Sequence, residues 1–297
     1  MIIKFISFLK LIRVQNLFLL LLSQIVLYYF TYKNFGDITL YLLLIITFLI
    51  TAAGYIINDI LDIESDIINK EEVIIGTQIS ARKAIFWYYF FNSIALLLSL
   101  VLLYISKNIL LFLILLLAIF VLNWYSKTYK HKFLIGNLVV SVLTSLSIFN
   151  IYLIFPSISH KLVPPLFIIL IYCYFAFFLT FCREIVKDLE DKEGDTIMNS
   201  SNMTFKISKE KIKGILIILL LFVLIPFIYA LKVDVEYFLR YNSFSLTTFI
   251  SSFIINLLVC FTMYNIIKSN VKKDYTFISR MLKIIMIVGI LTVPFYI

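Results

Sequence analysis

The stretch TLYLLLIITFLITAAGYIINDILDIESD, residues 39–66, decides the reading of the chain. Most of it is apolar and long enough to cross a bilayer as a helix, which takes about 20 such residues. Its end is acidic, reading Asn58-Asp59-Ile60-Leu61-Asp62-Ile63-Glu64-Ser65-Asp66. If the helix continues past the membrane surface, Asp59, Asp62 and Asp66 fall at i, i+3 and i+7. All three then share one face, with Asn58 beside them.

The rest of the chain has the same character. Of 297 residues, 62% are hydrophobic and 14% charged, and the mean hydropathy is +1.04. A soluble domain carries roughly 25% charged residues, so this composition excludes soluble, disordered and disulfide-scaffold classes and requires an integral membrane protein. Cys173, Cys182 and Cys260 are too scattered for a disulfide framework or a zinc site and read as small core side chains. Met1 to Asn16 interleaves Lys4, Lys10 and Arg13 with short apolar runs and has no small-residue cleavage site, so it reads as a cytoplasmic helix and not a removable signal.

Nine apolar stretches qualify as spans, at approximately 16–34, 39–60, 84–106, 108–125, 134–155, 163–183, 214–231, 244–267 and 278–297. Pro226 and Pro294 lie inside two of them and are expected to kink them. With the amino terminus counted as loop zero, 21 of the 26 basic residues fall in even segments. That bias places the amino terminus and the even loops in the cytoplasm and the carboxyl terminus outside. The expected fold class is all-α, a polytopic membrane bundle of nine transmembrane helices. It forms one domain over 1–297 in the cell inner membrane, with two acidic motifs on the cytoplasmic side.

Thirteen of the 17 Asp and Glu crowd into two connections, after the second and sixth spans. The second motif reads Arg183-Glu184-Ile185-Val186-Lys187-Asp188-Leu189-Glu190-Asp191-Lys192-Glu193-Gly194-Asp195. On a helix Glu184, Asp188, Asp191 and Asp195 again share one face, while Glu64, Glu190 and Glu193 point off the acid faces. Like charges stacked this way repel, and a hard divalent cation relieves them. Mg²⁺ takes one or two carboxylates plus phosphate oxygens, so two facing acidic helices can hold a Mg²⁺-diphosphate. Two solvated loops would also be acidic, but two runs, each closing a span in single-face register, argue for a site. Arg183, Lys187, Lys127, Lys130 and Lys132 are placed to neutralise diphosphate oxygens. The aromatic content of 17% suits a pocket for a polyene chain and its carbocation. His131 and His160, the only histidines, read as solvated loop residues.

Together these residues resemble the UbiA-type membrane prenyltransferases. The likeness rests on the Asn-Asp-x-x-Asp-x-x-x-Asp motif after the second span and the Asp-rich motif after the sixth. Arg13 and Asn16 before the first span, and Tyr125-Ser126 with Lys130, Gly136 and Asn137, add to it. The resemblance implies two four-helix-like halves, each giving one acidic motif, around a lipid-open cavity that a ninth helix completes. It implies one Mg²⁺ ligated by Asn58, Asp59, Asp62 and Asp66 and another by Asp188, Asp191 and Asp195. Catalysis would rest on Asp59, Asp62, Asp188 and Asp191, and diphosphate binding on Arg13, Asn16, Lys130, Arg183 and Lys187. The implied partners are an allylic prenyl diphosphate, a membrane lipid or aromatic acceptor and the bilayer, with no nucleic acid.

Within the family the second motif looks most like the geranylgeranylglycerol-phosphate geranylgeranyltransferase branch, so the expected acceptor is geranylgeranylglyceryl phosphate. That acceptor needs a second anionic site, for which Arg183, Lys187, Lys127 and Lys130 are the spare cations. The chain departs from the family at Asn69-Lys70-Glu71-Glu72, at Asn199 and at Met203-Thr204-Phe205, which bears on the acceptor and loop closure. A competing enzyme reading prenylates an aromatic quinone or haem precursor. A transporter would require ionisable residues along a central path, whereas here the acids lie at the ends of the spans.

Overall fold

Each long apolar stretch forms a helix, because a chain in lipid must satisfy its backbone groups internally. The structure, a computed structural model, describes residues 2–32, 36–69, 73–130, 132–154, 165–192, 196, 203–241 and 245–296. Among them no β-strand forms. In chain order the helices are α1 (Ile2–Leu11), α2 (Val14–Tyr32), α3 (Ile38–Leu61), α4 (Ile63–Asn69), α5 (Ala81–Ser106), α6 (Ile109–Trp124) and α7 (Ile135–Ile154). After them come α8 (Pro165–Glu190), α9 (Met203–Lys206), α10 (Lys209–Tyr241), α11 (Leu246–Lys268), α12 (Lys272–Leu291) and α13 (Val293–Tyr296).

Polar residues set several helix starts. Asp37 caps α3 by accepting from the Thr39 N–H at 2.8 Å, and Asn108 caps α6 by accepting from the Leu111 N–H at 3.1 Å. The Asn108 amide also donates to the Leu153 carbonyl at 2.8 Å, tying the start of α6 to the end of α7. Deeper in the bundle Gln24 of α2 donates to Thr47 of α3 at 3.2 Å and to the Ser147 carbonyl of α7 at 2.8 Å, so one side chain joins three spans.

Two buried apolar clusters make up the interior. One is built from α1 to α7 and the first turns of α8, around Leu27, Leu43, Ile46, Ile56 and Ile151. The other is built from the remainder of α8 with α9 to α12, around Leu179, Leu220, Val259, Ile278 and Ile285. Helix α8 belongs to both, so its acidic end is carried by the second half while the Asn58–Asp66 motif is carried by the first.

Among the described residues eight helices are long and apolar enough to cross a membrane: α2, α3, α5, α6 with its continuation, α7, α8, α10 and α11. The expected ninth is a helix, but it begins six residues earlier than the sequence reading placed it and ends at Leu291. Lys272, Lys273, Asp274, Arg280 and Lys283 all lie on it, which takes it out of the purely apolar set. It nevertheless packs against α8, α11 and α2. Pro226 stands inside α10 as expected, whereas Pro294 falls in the one-turn α13 beyond the end of α12.

Candidate active site

The first acidic motif does not continue as one helix. The chain breaks at Asp62, which caps α3 with φ −98° and ψ 7°, its N–H bonding the Asn58 carbonyl at 3.1 Å. Its own carbonyl then accepts from the Asp66 N–H at 2.8 Å and the Ser65 hydroxyl at 3.1 Å, starting α4. Asp59 does not share the face of the other two acids. Asn58, Asp62 and Asp66 face a cavity of about 570 Å³, while Asp59, only 6% exposed, turns to Arg13.

Arg13 is the junction between α1 and α2, in the left-handed region at φ 51°. That conformation costs a non-glycine residue roughly 1–2 kcal/mol, and here it aims the guanidinium at Asp59 Oδ1, 2.7 Å away. The Tyr55 ring lies 5.0 Å from the guanidinium carbon. Burial would lower the Arg13 pKa, but Asp59, Tyr55 and Glu184 outweigh it and hold it above the ordinary arginine value.

Lys130 reaches Asp62 across 68 residues of sequence. A wide turn over Tyr125–Tyr129 places it there: the Lys130 N–H bonds back to the Tyr125 carbonyl at 2.9 Å, five residues earlier. One extra residue in a helical turn rotates all that follows by about 100°. Lys127 and Lys132 remain exposed and away from the cavity wall, so of the three lysines that follow the fourth span only Lys130 lines it. The Asn58 amide also donates to Asp62 Oδ2, at 2.9 Å.

On the facing wall α8 continues unbroken through the second motif to Glu190, and the Asp191 N–H still bonds the Lys187 carbonyl at 2.8 Å. Asp188 and Asp191 line the same cavity as the first motif. Asn137 of α7 donates to Asp188 Oδ2 at 2.9 Å. Glu184 lies on the wall between Arg183, at 3.4 Å, and Lys187, at 2.8 Å. Glu190 was expected off this face; it lines the cavity and accepts from the Thr276 hydroxyl of α12 at 2.7 Å. Asp195 and Glu193, with the departures at Lys70-Glu71-Glu72 and Asn199 and both histidines, lie outside the described residues.

Asn16, Arg183 and Lys187 line the cavity as expected, joined by Tyr125. Sequence reasoning missed Lys283 and Ser279 of α12, which complete the wall. The available signal was a lysine inside a span candidate, where an ionisable residue marks a functional position. The residues suit a hard cation. The Oδ1 atoms of Asn58 and Asp62 are buried without a hydrogen-bond partner among the described residues, and both side chains stand on the cavity wall. Among the described residues no three carboxylates, histidines or cysteines gather closely enough to hold a metal by themselves. Mg²⁺ takes few protein oxygens and completes its shell with phosphate and water. Away from the acids the wall is apolar, with Leu19, Leu27, Ile114, Leu115, Tyr172 and Phe175.

Known proteins are similar to this chain in sequence and in fold. A digeranylgeranylglyceryl phosphate synthase of Sulfurisphaera tokodaii is 34% identical over 206 residues, 66% of this chain and 69% of its own. One from Methanococcus maripaludis is 31% identical over 284 residues, 94% of this chain and 93% of its own. A structure solved in work on digeranylgeranylglyceryl phosphate synthase in membranes superposes with a TM-score of 0.68 at 28% identity, covering 98% of this chain and 97% of that one. A UbiA homologue of Archaeoglobus fulgidus, bound to GPP and Mg²⁺, shares the fold with a TM-score of 0.64 at 18% identity, covering 97% and 99%. Residues 16–285 match the UbiA prenyltransferase family over nearly the whole bundle, so the chain belongs to that family.

Proposed function

We propose that this multi-pass membrane protein is a Mg²⁺-dependent prenyltransferase that moves a geranylgeranyl group from its allylic diphosphate to the free hydroxyl of geranylgeranylglyceryl phosphate. One observation carries the reading: two acidic motifs from different halves of the bundle, with cations between them, face each other at one end of a cavity whose remaining wall is mostly apolar. The relatives named above support the acceptor.

Asn58, Asp62 and Asp66 on one wall, and Asp188 and Asp191 on the other, would hold Mg²⁺, with Asp59 and Asp195 completing the two motifs. When bound, Mg²⁺ supplies positive charge that stabilises the departing diphosphate. Asn16, Arg13, Lys130, Arg183 and Lys187 bind and orient the diphosphate oxygens from between the acid faces. Asp59, Asp62, Asp188 and Asp191 carry the electrostatic part of catalysis. The allylic carbon–oxygen bond breaks, the acceptor oxygen bonds the same carbon, and the hydroxyl proton leaves with the diphosphate. Leu115, Phe175 and their neighbours keep water from the allylic cation, and Tyr172 and Phe175 offer ring faces to it.

Residues 1–297 act as one domain in this reading, because the site draws on Arg13 at one end of the chain and Lys283 at the other. The chain lies in the cell inner membrane with its amino terminus and both motifs cytoplasmic and its carboxyl terminus external, as the basic residues indicate. The test is purified protein with Mg²⁺ and geranylgeranyl diphosphate, offered geranylgeranylglyceryl phosphate beside 4-hydroxybenzoate and a dihydroxynaphthoate. The lipid should be prenylated fastest, and EDTA should abolish turnover reversibly. Faster prenylation of either aromatic would refute the acceptor assignment.

A further inference from the structure

Helices α8 and α12 run antiparallel along one side of the cavity, and two contacts fix their register. A Cβ built on Gly289 of α12 would meet the Phe175 ring of α8 at 2.2 Å, so those residues touch directly. Thirteen residues earlier on α12, Thr276 donates to Glu190 of α8 at 2.7 Å. At equal rise along both helices, residue numbers facing each other add to about 465 throughout this contact. Lys283 therefore sits level with Cys182 and Arg183.

Both helices change character at that level. On α12 the cavity-lining residues Ser279, Lys283, Met286 and Ile290 recur on one face, cationic at one end and apolar beyond. On α8 Tyr172, Phe175 and Ala176 are succeeded by Thr180, Arg183 and Lys187. The cations meet at the same depth. Among the described residues Arg183, Arg13 and Arg280 stand near enough to repel the Lys283 ammonium, and Glu184 near enough to attract it. Glu184 is already engaged by Arg183 and Lys187, and Arg13 by Asp59. Lys283 makes no salt bridge among the described residues, and the buried Arg183 Nε has no hydrogen-bond partner there. At this level three half-buried cations, Arg183, Lys187 and Lys283, stand with one lining carboxylate, Glu184, and repel one another. An anion brought between them reverses that cost.

We propose that Lys283, with Arg183 and Lys187, forms a second anion site on the α8–α12 wall that takes the phosphate monoester of the acceptor lipid, whose apolar chain then lies along Met286 and Ile290. This rests on the prenyl-transfer reading above and assigns the acceptor's place within that site. The diphosphate lies between the two carboxylate motifs, held by Arg13, Lys130 and the Asn16 amide, while Arg183 and Lys187 stand between the two anions and serve both. Lys127, a candidate for the second anion from sequence alone, is exposed and away from the cavity. Lys283 instead distinguishes a phosphorylated acceptor from a neutral one.

The test compares wild type, Lys283→Gln, Lys283→Arg and Ser279→Asp, each purified full-length in lipid nanodiscs and checked by thermal unfolding. Loss of one charge-assisted contact to phosphate should raise the acceptor KM of Lys283→Gln roughly 10- to 100-fold. Its KM for geranylgeranyl diphosphate should move less than about threefold, since the carboxylate motifs and their Mg²⁺ still hold the donor. The preference for geranylgeranylglyceryl phosphate over its dephosphorylated alcohol should shrink by the same factor as the acceptor KM rises. Lys283→Arg should retain the preference. Ser279→Asp, one turn away, should weaken the phosphorylated acceptor selectively and provides the result if Lys283→Gln unfolds. Direct binding of the acceptor without donor or Mg²⁺, read as a thermal shift, should show the same order. An unchanged preference in both Lys283→Gln and Ser279→Asp, or equal losses for donor and acceptor, would overturn the assignment. A wild type that prenylates neither acceptor would instead overturn the reading on which it rests.

Discussion

Replacing Arg13 with Gln separates what its contact with Asp59 does for the fold from what it does for the chemistry. Arg13 Nη2 lies 2.7 Å from Asp59 Oδ1, with Asp59 nearly buried and the arginine side chain 27% exposed. Removing one partner of a fully buried pair costs about 3–5 kcal/mol. The exposure of Arg13 screens part of that, leaving about 2–3 kcal/mol, with about 0.5 kcal/mol more from the lost Tyr55 ring contact. Asp59→Asn should cost less, about 1–2 kcal/mol, because Arg13 keeps Glu184 as an electrostatic neighbour and has access to water.

The double variant should be destabilised by less than the sum of the singles, with a coupling of about 1.5–2 kcal/mol. SDS-titration unfolding in mixed micelles measures all four proteins. Prenyl transfer at saturating Mg²⁺ should behave differently, falling about 10²-fold or more in each single variant and not recovering in the double, the scale for losing one preorganised electrostatic group. Stability that is rescued in the double while activity is not would identify the pair as both a clamp on the fold and part of the site. Additive stabilities, within about 0.5 kcal/mol, would refute the reasoning, because the pair would then not hold α1, α2 and α3 together.

Gly289→Ala should push the Phe175 ring by about 1.5 Å, the distance from the present 2.2 Å to ordinary carbon contact. The ring also packs edge-on against Phe227 at 5.3 Å and lines the cavity, so its displacement should change the cavity's shape. Unfolding should show a loss of about 1–3 kcal/mol, and the kcat/KM ratio of geranylgeranyl to geranyl diphosphate should fall; an unchanged ratio would show that Phe175 does not bound the prenyl chain. Glu190→Gln keeps an oxygen for Thr276 and should stay near wild-type activity, whereas Glu190→Ala should lose about 1 kcal/mol and raise the acceptor KM by loosening the α8–α12 register. Equal effects of the two in steady-state kinetics would point to the Glu190 charge, not its hydrogen bond.

The helices were legible because lipid imposes a simple rule, and the apolar runs obey it. Charge placement likewise revealed that Asp62 and Asp188 belong to one site, since nothing about crossing a membrane requires acids at two corresponding span ends. The break at Asp62 was not legible. No Gly or Pro marks it, and it is stabilised by the residue's own backbone and by Lys130, a partner 68 positions away. Arg13 was found as a motif residue, but its left-handed backbone and its grip on Asp59 depend on packing that no local pattern encodes. Lys283 was hidden by the same rule that revealed the topology. Counted among the basic residues that orient the bundle, it needed no further explanation, until α12 brought it onto the cavity wall. The ninth helix was misplaced for a related reason. Hydropathy registers Lys272, Lys273, Arg280 and Lys283 as the edge of a span, while the helix that carries them only has to face a polar cavity on one side.

The distribution of charge over that wall explains how so acidic a site folds at all. Six carboxylates line the cavity, Asp62, Asp66, Glu184, Asp188, Glu190 and Asp191, against five cations, Arg13, Lys130, Arg183, Lys187 and Lys283. Either set alone would be costly to bury, but together they leave the wall close to neutral. The two signs are interleaved, with Lys130 against Asp62 and Glu184 between Arg183 and Lys187. The acids of each motif end a helix of their own half, while Arg13, Lys130 and Lys283 reach in from α1–α2, the turn after α6, and α12. A wall of this kind has little net field with which to attract a bare cation or a bare diphosphate. It is complementary instead to a ligand whose charges alternate on the same length scale, with metal against carboxylate and phosphate against arginine or lysine. That is the charge pattern of Mg²⁺-diphosphate, and it lets the ion pairs within each half recognise the substrate without a separate layer of binding residues.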